Sequence, residues 1–449
     1  MQQHWWSPSV PQAVLRTEAH SVVSDSDGNL PFRALLGFTC ILLLAPQERI
    51  PALAPLRIAM LTAVLAMFAH VWCRWRSGEK IFAVNAPVLL LVALVSWALL
   101  TMPFSFWPGG SISYLTEKYV KTIIVFVLLA NVLSSQEKLA TMAWSLVLMT
   151  IPLSLTTLKS FLAGGADRAS GYSSSLTANP NDMALMLNLI LPMTLALFLG
   201  ARKKSIRFFV AGVVGLQILA IMATFSRAGF LTLGFIILSY LWLLRRRKER
   251  VLIPIAIVAC ICALPLVPPE FYLRITTIVN IEEDETNSAQ TRLADMKVAL
   301  ELVADHPVVG SGLGMNVLAM NEARGTTWTE VHNVYLQLAV ELGLPGLLLF
   351  LMLYMQCLKQ ARLTVRYCRN KPHLQDLYNL AEALQVALLA YALEAMFHPT
   401  AYHFYFYYIA GMAVAAGFIC RRQAASTIDD KGVVQMPSSG SVATGVAHA

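Results

Sequence analysis

APVLLLVALVSWALL, residues 86–100, carries no charged side chain, and neither does VLIPIAIVACICALPLV at 251–267. Stretches this apolar, at about the length that crosses hydrocarbon, are stable in lipid as helices, because only a helix satisfies its own backbone there. Similar runs recur near 31–46, 53–73, 82–103, 118–134, 137–161, 183–201, 206–224, 227–244, 251–268, 333–358, 377–397 and 402–420. The sequence therefore predicts an all-α, polytopic membrane bundle of about 12 transmembrane helices. Composition agrees. With 57% hydrophobic and 13% charged residues and a mean hydropathy of +0.60, the 449 residues hold more apolar surface than a soluble core could hide.

A net charge of +8 raises the question of nucleic acid, but the basic residues sit in short clusters between apolar runs. These are Arg74 and Arg76; Arg202, Lys203, Lys204 and Arg207; Arg245 through Lys248 and Arg250; Lys359, Arg362, Arg366, Arg369 and Lys371; and Arg421 with Arg422. With twelve spans, every cluster falls on one face together with both termini, the pattern of cytoplasmic loops. No nucleic-acid partner is expected. The outer face then receives FSFWPGGSISYLTEKYVK (104–121), GGADRASGYSSSLTANPND (164–182), the turn at Ser226 and Arg227, a long segment at 269–331, and HPTAYHF (398–404).

The organisation expected is a cytoplasmic tail (1–29), transmembrane helices 1–9 (30–268), one large outer loop containing helices (269–331), transmembrane helices 10–12 (332–420) and a cytoplasmic disordered tail (421–449). The first tail carries Trp5, Trp6, Pro8 and Pro11 and lacks the basic start and apolar centre of a signal peptide. All seven cysteines lie in apolar runs or basic flanks, which argues against a disulfide framework or a zinc site. There is no internal repeat.

Within the long loop, SAQTRLADMKVALELVADHP (288–307) reads as an amphipathic helix with Leu293, Met296, Leu300 and Val303 on its apolar face, ended by Pro307. VVGSGLGMN (308–316) follows, with Gly310, Gly312 and Gly314 permitting tight turns or close backbone approach. No strand precedes this run and no Lys-Ser/Thr follows it, so it is not a nucleotide loop. The acidic IEEDET (281–286) lacks metal-ligand spacing, and no outer segment has an Asp-x-Asp pair. Neither metal nor cofactor is expected.

Several polar residues at the outer boundary could carry chemistry. His332 stands where the loop meets the tenth span, so it is placed either as a general base between lipid and water or as an interfacial histidine bonded to a loop carbonyl. Arg227 opens the eighth span, at a helix N-terminus that disfavours a cation and so asks for an anion partner. Even-numbered spans all aim their unpaired N–H groups outward, and Asn179, Asn181, Asp182 and Ser226 lie at two such ends. Together with Arg227 they could cradle a diphosphate; alternatively Arg227 reaches to lipid headgroups. Arg292 has Asp295 three residues on, the spacing of an exposed helical ion pair. Arg168, Arg274 and Arg324 are further outer cations, facing either a diphosphate or solvent. Glu341 and Glu394 lie inside membrane helices, where each needs a cation or donor. His398 is one turn from Glu394.

HPVVGSGLGMN, then VHNVYLQLAVELGLPGLLLF, preceded by TFSRAGF and the Arg292 helix, resembles the O-antigen ligase and polymerase superfamily of bacterial membrane glycosyltransferases. The Gly-rich turn, His-Asn-x-Tyr-Leu and Glu-Leu-Gly-x-Pro-Gly in this order carry the likeness, over about 120 residues from Arg227 to Phe350. The resemblance implies a GT-C-like fold in the bacterial inner membrane, with the large loop and active site facing the periplasm. It implies transfer of a glycan from undecaprenyl diphosphate to a hydroxyl of the lipid A core, in lipopolysaccharide biosynthesis. Its partners would be that lipid-linked donor, the lipid A-core acceptor and membrane lipids. Carried over residue by residue, His332 would activate the acceptor hydroxyl, and Arg227 and Arg292 would hold the departing diphosphate. Asn333, Tyr335, Glu341, Arg168, Asn179, Asn181, Asp182, Arg324, Glu394 and His398 would support them.

Two readings within the superfamily compete with ligase: an O-antigen polymerase and a protein O-oligosaccharyltransferase. Polymerases are associated with Arg-x10-Gly spacings, and counting from Arg168, Arg274, Arg292 and Arg324 reaches Asn179, Glu285, Val303 and Tyr335, none of them glycine. A transporter would gather polar residues at the midplane of repeated halves, whereas here they gather at one face.

Overall fold

The computed structural model describes residues 29–56, 58–164, 179–245, 247–254, 288–325 and 328–432. Both expected tails apart from their inner ends, nearly all of the ninth span, Arg168, Arg274 and the acidic run 281–286 lie outside the described residues. Within them the chain is helical and no strand occurs.

The helices used below are α1 (Leu30–Leu44), α2 (Ile58–Arg76), α3 (Ala86–Thr101), α4 (Pro108–Tyr114), α5 (Val120–Val132), α6 (Gln136–Gly164), α7 (Pro180–Gly200), α8 (Lys204–Ala223), α9 (Arg227–Leu244), α10 (Ser288–Asp305), α11 (Asn316–Arg324), α12 (Val334–Cys368), α13 (Gln375–Glu394) and α14 (Phe404–Gly432). Eight helices among the described residues are long and apolar enough to cross a membrane: α2, α3 extended to Phe104, α6 through α9, α12 and α14. The chain is a multi-pass membrane protein. The other expected spans fall on α1 and α5, which are shorter, on α13, which is long but more polar, and on the largely undescribed ninth run. Helix starts follow their caps. Asn85, Asn179, Ser226 and Asn333 each accept a backbone N–H from the first turn they precede, which satisfies donors the helix itself cannot.

The C-terminal ends of α7 and α9 meet the N-terminus of α13. Gly200 lies against Asp376 and Asn379, and Arg247 donates to Asn379 at 3.0 Å and pairs with Glu382 at 2.5 Å. The starts of α7 and α9 must therefore lie at the other end of the bundle, called the site end below.

The tenth span is not one straight helix. Tyr335 Oη donates to the Ala392 carbonyl at 2.9 Å, and Tyr354 Oη donates to the Leu388 carbonyl at 3.2 Å. On α12 those tyrosines would stand about 28 Å apart if the helix were straight, whereas their acceptors on α13 are about 6 Å apart. The first arm of α12 must therefore run across the end of α13 before the second descends along it. The bend is at Gly343, whose φ of 68° and ψ of −178° break the helical path. The helix then continues to Cys368, so Lys359, Arg362 and Arg366 stand on its later turns rather than in a loop beyond it.

A bend strands carbonyls, and each needs a donor. Val340 O accepts from Ser311 N at 2.7 Å, Glu341 O from Gly312 N at 2.9 Å, and Leu342 O from Trp97 Nε1 at 2.8 Å; Leu344 N donates to Pro307 O at 2.8 Å. The Gly-rich turn thus closes the broken helix as an added strand of backbone would. Its glycines are needed for contact: all three have positive φ, and a Cβ on Gly310 would stand 2.5 Å from the Glu341 backbone, on Gly312 2.0 Å from Ser105 Oγ, and on Gly314 2.3 Å from the Tyr114 ring.

Glu341 organises the same junction from within. It is fully buried. Its carboxylate accepts Gly314 N at 2.9 Å, Asn316 N at 3.3 Å and Asn316 Nδ2 at 2.5 Å, so neutral donors supply what the sequence required of a cation or donor. Asn316 Oδ1 in turn accepts Val331 N at 3.1 Å, which carries the register on to the neighbouring His332.

Candidate functional site

Three helix starts converge at the site end. α7 and α9 touch so closely that a Cβ on Gly229 would stand 2.7 Å from Ala184 Cβ, and Asn188 Nδ2 donates to Gly229 O at 3.0 Å. This holds Arg227, half-buried at the first position of α9, beside the opening turns of α7. Asn179 caps α7 by accepting Asn181 N at 2.9 Å. Asp182 follows in its first turn. The start of α12 is tied to the far end of α13, through Val334 N to Ala395 O at 2.8 Å and Asn333 Nδ2 to Met396 O at 3.4 Å. Asn333 Oδ1 also caps α12, accepting Tyr335 N at 2.9 Å and Leu336 N at 3.1 Å.

His332 sits half-buried just before that cap. Its Nδ1 is 2.8 Å from the Glu330 carbonyl, an oxygen that can only accept, so in the neutral ring Nδ1 carries the proton and Nε2 keeps its lone pair. The loop-carbonyl bond and the general-base role are therefore compatible: the first fixes the tautomer that the second needs. Burial, and after it the Arg292 guanidinium, hold this imidazole below its ordinary value; the Glu330 carbonyl, Glu330 carboxylate and Asp295 pull the other way without prevailing. At neutral pH the ring is the free base.

Arg292 thus stands within electrostatic range of His332, and Glu330 within range of both His332 and Asp182. Glu394, fully buried at the end of α13, is also in range of Asp182, and lies 3.6 Å from His398, one turn on. Through these links the loop helix, the start of α12, the start of α7 and the end of α13 share one neighbourhood. α9 is bound into it by its contact with α7.

The loop helix is oriented differently from its expected apolar stripe. Leu293 and Leu300 are 50% and 56% exposed; the buried side carries Asp295 and Ala299, with Val298, Leu302 and Val303 packed against Ala319, Met320, Val331 and Val340. Asp295, 2% exposed, pairs with Arg324 of α11, a clamp between the loop's two helices. Arg324 is the cation of that clamp. The periodicity missed this because a small alanine and a paired aspartate made the closer contact, leaving two leucines outside.

Residues that sequence reasoning passed over also belong here. Tyr114, whose ring abuts Gly314, is within range of Glu330 and Glu341; the signal lay in the aromatic outer segment 104–121, where a single π-helical turn at Leu115–Tyr119 follows it. Glu330 and Asn316 were hidden by their ordinary polar surroundings.

The arrangement predicts a pH profile. If His332 is the base, transfer is flat above neutrality and falls as the pH drops through the lowered imidazole value, because protonation removes the lone pair. In Arg292→Met one lowering cause is gone, so the acid limb shifts upward, toward the ordinary 6.5. Titration of the His332 imidazole followed by NMR in the wild type and in Arg292→Met checks this; a midpoint unmoved in the variant would detach Arg292 from His332.

A family model described as O-Antigen ligase matches residues 212–351, from within α8, through α9 and the loop, to just past the Gly343 bend. The match contains Arg227, Arg292, His332 and Glu341. No curated protein matches the chain.

Proposed function

We propose that this chain, whose membership of the O-antigen ligase superfamily is supported by that match, is a ligase that moves an undecaprenyl-diphosphate-linked glycan onto a hydroxyl of the lipid A core. The superfamily's role in transfer of lipopolysaccharide-related glycan is the premise; the ligase step, the periplasmic side and the inner membrane are the reading. The observation that carries it is a neutral imidazole with its Nδ1–H committed to Glu330 O and a guanidinium, Arg292, close enough to act on it.

In this reading the acceptor hydroxyl gives its proton to His332 Nε2 as its oxygen attacks the anomeric carbon. The C–O bond to the diphosphate breaks, and its electron pair leaves on the diphosphate oxygen. Attack opposite the leaving group inverts the anomeric centre. Arg227, at a helix N-terminus already favouring an anion, and Arg292 bind the charge that builds on the leaving group. A diphosphate leaves readily, so positioning and proton removal are the main demands. Asn179, Asn181, Asp182, Asn333 and Tyr335 shape the starts of α7 and α12, and Glu394 with His398 lies at the end of α13 beside them.

The reading takes arginines, not a metal, as the charge partners. Transfer by purified protein in liposomes is therefore expected to continue within about twofold after exhaustive chelation. Loss of activity that magnesium restores would overturn this part. A polymerase would differ in acceptor: single repeat units on the core when it fails, rather than a bare core with accumulated lipid-linked polymer.

A further inference from the structure

An acid inside a membrane helix needs a cation or a donor, and Glu341 meets that need with neutral donors. Glu394 does not. It is fully buried at the end of α13, and among the described residues neither oxygen of its carboxylate has a hydrogen-bond donor. His398 Nδ1 stands 3.6 Å from Oε1 and also faces the Glu394 backbone carbonyl, at 3.4 Å.

Two other helices reach the same point. Thr232, on α9, is within range of the Glu394 carboxylate, and Asn188, on α7, donates its Nδ2 to Gly229 O at 3.0 Å. A helical carbonyl points along the axis toward the next turn, so Gly229 O and the Thr232 side chain, three residues on, share one edge of α9. Thr232 and Asn188 are fully buried, and among the described residues Thr232 Oγ1 and Asn188 Oδ1 have no hydrogen-bond partner. Four oxygens from three helices thus lie in the interior with one hydroxyl proton, that of Thr232, among them. Charge adds to the shortage of donors. Apart from His398, the charged group that acts on Glu394 is Asp182, a second carboxylate, and the one that acts on Asp182 is Glu330, a third. Leaving a buried carboxylate and buried acceptors unmatched is costly, and carboxylate, hydroxyl and amide oxygens together are the ligand types of a hard cation.

We propose that Glu394, Thr232 and Asn188 hold a small monovalent cation, sodium, at the site end of α7, α9 and α13. One carboxylate balances its charge, and the neutral oxygens complete its shell. Bound there, the ion ties α9, which carries Arg227, and α7, which carries Asp182, to the residue before Ala395, whose carbonyl holds the start of α12. The ion stands outside the transfer step. Chelators do not remove an alkali cation, so the chelation result expected above is unaffected.

Thermal unfolding of the purified full-length protein in detergent tests the site, with sodium chloride exchanged for choline chloride at constant ionic strength. The midpoint should rise saturably with sodium, by about 3 °C or more at about 100-fold above half-saturation, and stay level in choline. Glu394→Gln keeps the side-chain shape, removes the charge and should abolish the rise. Binding of radioactive sodium gives a readout independent of melting: the wild type should bind it saturably, with unlabelled sodium competing. Thr232→Val, which keeps its shape and loses the hydroxyl, should weaken that binding by about fivefold or more, and it covers the case in which Glu394→Gln fails to fold. A wild-type midpoint that follows ionic strength alone, or sodium binding unchanged in the variants, would overturn the site and leave a proton and water as the partners of Glu394. Neither measurement needs glycan transfer, so this site and the functional reading fail separately.

Discussion

His332→Ala is expected to lower glycan transfer by a hundredfold to about ten-thousandfold, the range over which a positioned general base contributes. Cells carrying it should display lipid A core without long glycan while undecaprenyl-linked polymer accumulates. The loss should not come from unfolding, because the fixed part of the local structure is elsewhere: Asn333 caps α12, Val334 N holds Ala395 O, and Val331 N holds Asn316 Oδ1. The imidazole adds only its bond to the Glu330 carbonyl. Wild-type thermal stability with lost transfer is thus the expected pair of results. Normal capped lipopolysaccharide in the variant would remove His332 from the chemistry.

The second large effect is structural and falls eleven positions on in the same stretch of chain. Gly343→Ala places a Cβ 2.1 Å from Val308 O, a backbone atom with no freedom to step aside, at a φ of 68°. The backbone strain alone costs about 1–3 kcal/mol. Relieving the clash means lifting the 307–316 turn off the bend, which gives up the bonds to Val340 O, Glu341 O and Pro307 O at about 1 kcal/mol each. A loss of about 3 kcal/mol or more is expected, large against the total stability of a folded domain, and most of the protein should fail to accumulate. Gly325→Ala is the control: its φ is also positive, but no atom lies within 4 Å of the added Cβ, so it should cost about 1 kcal/mol. Thermal unfolding in detergent compares the two, and equal midpoints would mean that the bend is not held as described.

Much of this was written in local pattern. The apolar runs specify helices because lipid leaves no alternative, and the caps at Asn179, Ser226 and Asn333 mark where those helices begin. The three glycines of 310–314 announced close approach, and the contacts with Glu341, Ser105 and Tyr114 are what they permit. The bend itself was less legible. Glu-Leu-Gly-Leu-Pro-Gly sits in an unbroken apolar run, and only the donors arriving from a distant turn make a break at Gly343 affordable. The face of α10 was misread for a related reason. Periodicity sees side-chain hydrophobicity and not partners, so a buried Asp295 matched to Arg324 looked like the exposed side. Tyr114 and Glu330 join the site through packing between segments more than 200 residues apart (330 − 114 = 216), which no local pattern records.

The most direct test of the account separates donor capture from chemistry in purified protein. Binding of undecaprenyl diphosphate and single-turnover transfer would be measured side by side for the wild type, Arg227→Met, Arg292→Met and His332→Ala. The account predicts weakened binding in both arginine variants, and near-normal binding with no turnover in His332→Ala. Transfer at the wild-type rate without the imidazole, or binding indifferent to both guanidinium groups, would contradict it.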